Sequence, residues 1–390
     1  MRKMAYQEDK MKIKKITTVL LAGIMAVSVL AGCGINKEAT VATFKDGTKV
    51  SLGLVNFMCR YQQAYSEDMY TSYLGADVWN KDISGNGTTM QESVKSSVLE
   101  QVHELYTLNK PENMKKYGVE LTDDDKKAIT KAAKQFMDDN SDDALNEMGA
   151  TQEIVEEMLT LMTVSNKMNA EIIKEVDTNV SDEEANMRAY TVVKIDTAGT
   201  TDDSGSYKEY TDDEKKEIKD KASELETAVK TGSKLETAAK DYGFTSSTAT
   251  YDADDDQLDE AVKKALDGLK EGETSDLITT DSALYIVRID SDTDKDATEK
   301  NRESIIKTRQ DDKYNEVLEK WQKNDGWKVK DKLVAKIQFK NHFTQQNTEA
   351  TQATEATQAT ETTDAADGTQ ATETTSSTDA TEAVQGTEAK

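Results

Sequence analysis

The sequence predicts an α+β protein: a mainly helical domain, a small α/β module inserted in it, and a disordered C-terminal tail. Three observations predict this. Apolar residues recur at helical spacing through most of residues 51–176, with Ser or Thr at each start and Gly near several ends. The texture changes at Ser181, after which two β-branched or aliphatic runs flank three short helical patterns. From about Thr344 to Lys390 the chain is built of Thr, Ala, Gln and Glu, with Val384 its only large aliphatic residue. Ordering such a segment costs about 1–2 kcal/mol per residue with no apolar burial in return.

Taken in order, Thr40–Phe44 reads as a short strand that turns at Asp46-Gly47 into Thr48–Val50. Ser51 then caps a helix carrying Leu54, Phe57, Met58, Tyr61 and Tyr65. Met90–Leu108 is the next helix, with Val94, Val98, Val102, Leu105 and Leu108 on one stripe, and Thr122-Asp123-Asp124-Asp125 opens another with a capping box. Gly149 closes a helix and Thr151 opens a long one whose stripe is Ile154, Val155, Met158, Leu159, Met162 and Met168. In the second region Ser181 opens a capping box and Ala189–Ile195 is a strand. A polar loop, two helices (from Thr211 to the Thr231-Gly232 stop, and Lys234–Tyr242), a strand and a third helix (Leu258–Leu269) follow, then the buried strand Leu284–Ile289. A charged helix over Glu303–Asn324 and the segment Lys332–Ile337 complete the folded part.

The N-terminus carries an address. Six basic residues up to Lys15 precede an apolar core, Ile16–Leu30, and the small residues Ala31-Gly32 stand before Cys33. This is the pattern of a secretion signal. A spanning helix needs roughly 20 apolar residues, more than this core supplies. Leu30-Ala31-Gly32-Cys33 resembles the lipobox of bacterial lipoproteins, which implies that residues 1–32 are removed and that Cys33 carries a diacylglyceryl anchor. Two acyl chains hold a protein firmly where one does not. The expected location is therefore the outer face of the cytoplasmic membrane, extracytoplasmic and lipid-anchored.

Net charge sharpens this. The formal charge is −26, and removing residues 1–32, which hold six basic and two acidic side chains, takes it to −30. Such a chain repels nucleic acid and anionic lipid surfaces, since binding either requires cations to neutralise phosphates. With Cys33 modified only Cys59 remains, so no internal disulfide is expected, and its apolar neighbours make Cys59 a small buried hydrophobe.

A lipobox, then Lys116-Tyr117-Gly118-Val119-Glu120-Leu121-Thr122-Asp123-Asp124, Gly149-Ala150-Thr151-Gln152-Glu153 and Val180-Ser181-Asp182-Glu183-Glu184, together with Leu266–Ile278 and Ala283–Ile289, resemble in order and spacing the PrsA/SurA class of extracytoplasmic foldases. The resemblance implies a signal peptide (1–32), a helical chaperone domain (33–180), a parvulin-like module (181–295), a helix returning to the chaperone domain (296–342) and the tail (343–390). It implies unfolded or newly exported polypeptides as partners and prolyl isomerisation as the module's chemistry.

Parvulins carry one histidine in the first strand and one in the last. Here the matching positions are Thr191 and Tyr285, and the glycine-rich segment expected near Thr245–Asp254 is replaced by Thr, Ser and Asp. Isomerisation breaks no bond, and its barrier of about 18–20 kcal/mol yields to desolvation and twisting of the amide, so loss of the histidines weakens the expectation of activity. Thr191 and Tyr285 are either hydroxyls facing each other across a groove floor or fold-holding residues of a degenerate domain, and the second reading is preferred. Phe244, Leu258 and Leu284 are placed along the remnant of that groove on the alignment alone. His103 and His342 lie outside the module. Asp252, Asp254, Asp255 and Asp256 lack the calcium-loop spacing, and no phosphate loop, metal-ligand spacing or cofactor motif is found, so neither metal nor cofactor is expected. The expected function is that of a membrane-anchored chaperone or foldase. An active isomerase and a surface lipoprotein with one dedicated partner are the alternatives.

Overall fold

A computed structural model describes residues 35–201 and 205–343. Cys33, the signal and the tail therefore lie outside the described residues. Strand β1 (Thr40–Thr43) pairs antiparallel with β2 (Lys49–Ser51) on one side and with β9 (Lys328–Val329) on the other. Segments near the two ends of the described chain thus meet in one small sheet, with Ala42 opposite both Val50 and Val329. Everything between is inserted from that seam.

Around it stand helices α1 (Leu52–Leu74), α2 (Met90–Leu108), α3 (Pro111–Lys116), α4 (Asp123–Asp139), α5 (Asp142–Met148) and α6 (Gln152–Ile172). The starts follow the expected caps: the Ser51 hydroxyl accepts from Leu54 N–H at 3.1 Å, and Thr122 and Thr151 cap α4 and α6. Gly149 ends α5 in the left-handed region at φ 70, where a side chain would also meet the Asn56 amide at 2.8 Å. That amide donates to Met148 O at 2.9 Å, so the turn is tied to α1. The core of this domain gathers Val41, Leu54, Phe57, Val98, Phe136, Met148, Leu159 and Ile337. Cys59 sits in it, fully buried and unpaired, with its thiol pushed up to about 12 by burial. Its chemistry is that of a small hydrophobe, as expected.

After α7 (Asp182–Ala185) the module follows: β3 (Arg188–Asp196), the hairpin β4 (Gly199–Thr201) and β5 (Tyr207–Glu209), α8 (Asp212–Lys230), α9 (Leu235–Asp241), β6 (Ser246–Tyr251), α10 (Glu260–Gly268), β7 (Ile278–Thr279) and β8 (Ala283–Ser291). Its sheet is antiparallel in the order β6-β3-β8-β7. The hairpin β4–β5 and the two-residue β7 were not legible in the sequence, because neither carries an alternating apolar pattern. One sheet face packs Val193, Ile195, Leu284 and Ile286 on α8 and α9, and the other packs Tyr190, Val287 and Ile289 on α10.

Helix α11 (Lys295–Gln322) starts a full two turns before the charged pattern suggests, capped by Asp294, and packs Val317 against Leu108, Val164 and Met168. A short helix α12 (Asp331–Val334) and the irregular residues 335–343 end the described chain. No helix among the described residues is long and apolar enough to cross a membrane.

Candidate functional site

Helix α1 changes character along its length. Its first eight residues are buried, as the core demands, but its C-terminal half splits into two faces. One face turns Arg60, Gln63 and Glu67 inward, at 1%, 0% and 1% exposure. The other presents Tyr65, Met69 and Tyr73 to solvent, at 68%, 53% and 84% exposure. A spacing of four aligns these three on one stripe. Leu74 and Ile83 extend the exposed apolar surface.

The stripe runs into a depression of about 240 Å³ lined by Met58, Tyr61, Gln62, Tyr65, Gln101, Met158 and Met162. Three helices contribute, and three of the seven lining residues are methionines. Unbranched thioethers repack around differently shaped apolar groups, which suits a surface that accepts varied sequences. Burial holds the Tyr61 phenol up to about 12, so it stays a neutral donor at the rim. The methionines were read from the sequence as a core stripe of α6. What the periodicity missed is that Met158 and Met162 lie where the core meets solvent, at a place only the packing of α1, α2 and α6 defines.

The module was expected to hold the chemistry, and the structure separates the residues assigned to it. Pairing sets Thr191 opposite Arg288 and Lys194 opposite Tyr285. Since side chains alternate along a strand, Thr191 faces α8 and α9 while Tyr285 faces α10. They cannot meet across one groove floor, which corrects the first of the two readings of this pair. Phe244 and Leu284 pack on the α8–α9 face, and Leu258 packs with Tyr285 on the α10 face. The three therefore do not line a common groove. The alignment gave positions along the chain and could not give the face.

Thr191 is 1% exposed and its hydroxyl donates to Asp290 Oδ2 at 2.6 Å. Arg288 donates to the same hydroxyl at 3.1 Å, to Asp290 at 2.7 Å and to both oxygens of Glu236 at 2.6 and 3.0 Å. The Arg288 guanidinium holds the Glu236 carboxyl down at about 2, against an ordinary value of 4.5, and Arg288 itself is held above its usual value, chiefly by Glu236. This is an ion-pair network that ties α9 to the sheet. A carboxyl depressed in the folded state adds stability above its unfolded pKa and loses it as the pH falls through the folded one. We expect the melting temperature to fall between about pH 4.5 and 2 and Glu236→Gln to flatten that limb, read by thermal melts across the range. An unchanged acid limb in the variant would show the pair to be inert.

The two histidines serve as structural joints. His103 Nε2 lies 2.7 Å from Asp325 Oδ2 and its ring stacks on Trp327 at 4.6 Å, fixing α2 to the start of β9. His342 Nδ1 lies 2.6 Å from Glu67 Oε1. Among the described residues no group of His, Cys, Asp and Glu is arranged to hold a metal ion.

Residues 200–300 match the family model described as the PPIC-type PPIase domain. Similar solved structures include foldase protein PrsA from Streptococcus pneumoniae, 22% identical over 65% of this chain and 96% of that one, with a TM-score of 0.25. PrsA from Lactococcus lactis is 17% identical over 77% and 97%, with a TM-score of 0.29. A structure described among SurA-like chaperones of Campylobacter jejuni is 10% identical over 75% and 99%, with a TM-score of 0.25. No curated protein matches. The domain match defines the class: residues 200–300 are similar to the PPIC-type PPIase domain. To that extent the PrsA/SurA-type resemblance read from the sequence is borne out.

Proposed function

We propose that the protein is an extracytoplasmic chaperone or foldase that binds unfolded, newly exported polypeptides on its helical domain, held to the membrane through a lipidated Cys33. The single observation that carries this is the continuous stripe of Tyr65, Met69 and Tyr73 running into the methionine-lined depression. Exposed apolar surface of this extent on an otherwise highly charged chain marks an interaction site. The surface is shallow and adaptable, so it favours weak binding of varied apolar segments and ready release. A mature net charge of −30 keeps a loaded complex soluble. The domain boundaries 33–180, 181–295 and 296–342 are proposed with it, as the division of labour between binding domain, module and returning helix.

The parvulin-type module is proposed to be a structural partner in which isomerisation has been lost. What supports this is the commitment of the Thr191 hydroxyl to Asp290 and Arg288, away from Tyr285. The second reading, an active isomerase, is favoured by the domain match and keeps Tyr285 and Leu258 on the α10 side as its candidates. One titration separates them: an unfolded, proline-containing client peptide added to the mature chain with labelled methionine methyls. Shifts at Met58, Met69, Met158 and Met162 with no acceleration of cis/trans exchange are expected, and Thr191→Ala should lower stability by about 1–2 kcal/mol while leaving exchange as it was. Methyl signals that stay still at saturating peptide would rule the client surface out. Fast exchange abolished by Tyr285→Phe would establish the enzyme.

A further inference from the structure

The inward face of α1 reads a piece of backbone. Beyond Ile337, whose N–H bonds Val334 O, residues 338–343 make no backbone-to-backbone hydrogen bond among the described residues. Side chains hold them instead. Arg60 donates to Gln338 O at 2.9 Å and to Asn341 O at 3.3 Å, and Gln63 donates to Asn341 O at 3.0 Å. The Asn341 side chain reaches Glu147 at 2.8 Å, and His342 meets Glu67. Two aromatic anchors complete the hold. The Arg60 guanidinium lies 5.5 Å from the Phe339 ring and 4.9 Å from the Phe343 ring, and Phe339 sits edge-on to Trp79.

This is how a protein binds a foreign peptide that brings no secondary structure of its own. Buried donors take main-chain carbonyls, which every sequence offers, and rings fill two fixed places, which sets a preference. Arg60 and Gln63 are buried polar groups that need such carbonyls, since an unpaired buried donor is costly. The strap also does not seal its groove: an open cavity of about 500 Å³ lies alongside, lined by Trp79, Gln91, Gln338, Phe339, Lys340 and His342.

We propose that residues 338–343 are the resident occupant of a second polypeptide-binding groove, one that takes a segment of an unfolded chain wrapped around Arg60 with two aromatic residues four apart, as Phe339 and Phe343 are. Strap and client exclude each other, so the groove opens when the strap lifts. This rests on the reading that the protein binds unfolded polypeptides, but it concerns the face of α1 opposite the tyrosine stripe.

The test uses a labelled peptide of residues 335–343 and the full mature chain, followed by fluorescence anisotropy. Phe339→Ser/Phe343→Ser in the chain should unseat the strap and tighten binding of the peptide at least tenfold over wild type. Serine at both aromatic places of the peptide should abolish that gain. A folded double variant that binds no tighter than wild type overturns the proposal. Should that variant fail to fold, hydrogen exchange on the wild-type chain decides: excess peptide should speed exchange in 338–343 at least threefold, and an unchanged rate overturns the proposal equally. Methionine signals from Met69, Met158 and Met162 in the same samples report the other face. If they never respond to an unfolded client while the peptide still exchanges with the strap, the stripe reading fails and this one stands.

Discussion

Phe57→Ala is expected to destabilise the helical domain by about 3–5 kcal/mol, seen as a lower urea midpoint with an unchanged slope. Phe57 is wholly buried, edge-on to Phe136 at 5.7 Å and tilted against Tyr61 at 6.0 Å. Truncation removes its transfer free energy and leaves a cavity that three helices meeting at fixed caps cannot close. Tyr61 leans on this ring while it lines the client depression, so the loss should reach the surface too. By contrast, Tyr73→Ser removes a side chain that is 84% exposed and should change stability by under about 0.5 kcal/mol. A Phe57→Ala midpoint within about 1 kcal/mol of wild type would mean that the core relaxes freely around α1.

Arg60→Met should cost about 3 kcal/mol or more, because it strips one partner from a buried ionic cluster. Arg60 is 1% exposed, pairs with Glu147 at 2.5 Å and serves the carbonyls of Gln338 and Asn341. Burial draws its pKa down to about 10, and the neighbouring carboxylates Glu147 and Glu67 oppose that, so it remains charged at neutral pH. The double variant Arg60→Met/Glu147→Leu should recover a good part of the loss, since replacing both charges removes the unpaired carboxylate. Equal losses in single and double variants, by denaturant titration, would show that the pair itself contributes nothing.

How far the sequence foretold this molecule depends on the kind of signal. Caps are local, so Ser51, Thr122, Thr151 and Thr211 start helices where their hydroxyls say. Strands rich in β-branched and aliphatic residues, Ala189–Ile195 and Leu284–Ile289, lie at the centre of the module's sheet, where both faces are covered. The pairing of Ala42 with Val329 is long-range with no local mark, and β9, of two residues, has no pattern to read. Placement by resemblance fixed Thr191 and Tyr285 along their strands, yet the three-residue offset between their partners sends them to opposite faces. For the client surface the residues were visible and their role was not. Tyr61, Tyr65, Met158 and Met162 fit a buried stripe by spacing, and only the tertiary packing decides that Tyr65, Met69 and Tyr73 stay exposed. The buried Arg60 gave no signal at all, because charge in a sequence reads as surface.

The most direct measurement is light scattering from a chemically unfolded model protein diluted into buffer with the mature chain, set beside its Tyr65→Ser/Met69→Ser/Tyr73→Ser variant. Wild type should slow the rise in scattering several-fold at equimolar ratio, and the variant, melting within a few degrees of wild type, should be close to buffer alone. Equal protection by both proteins would contradict the account, and so would the absence of protection by either.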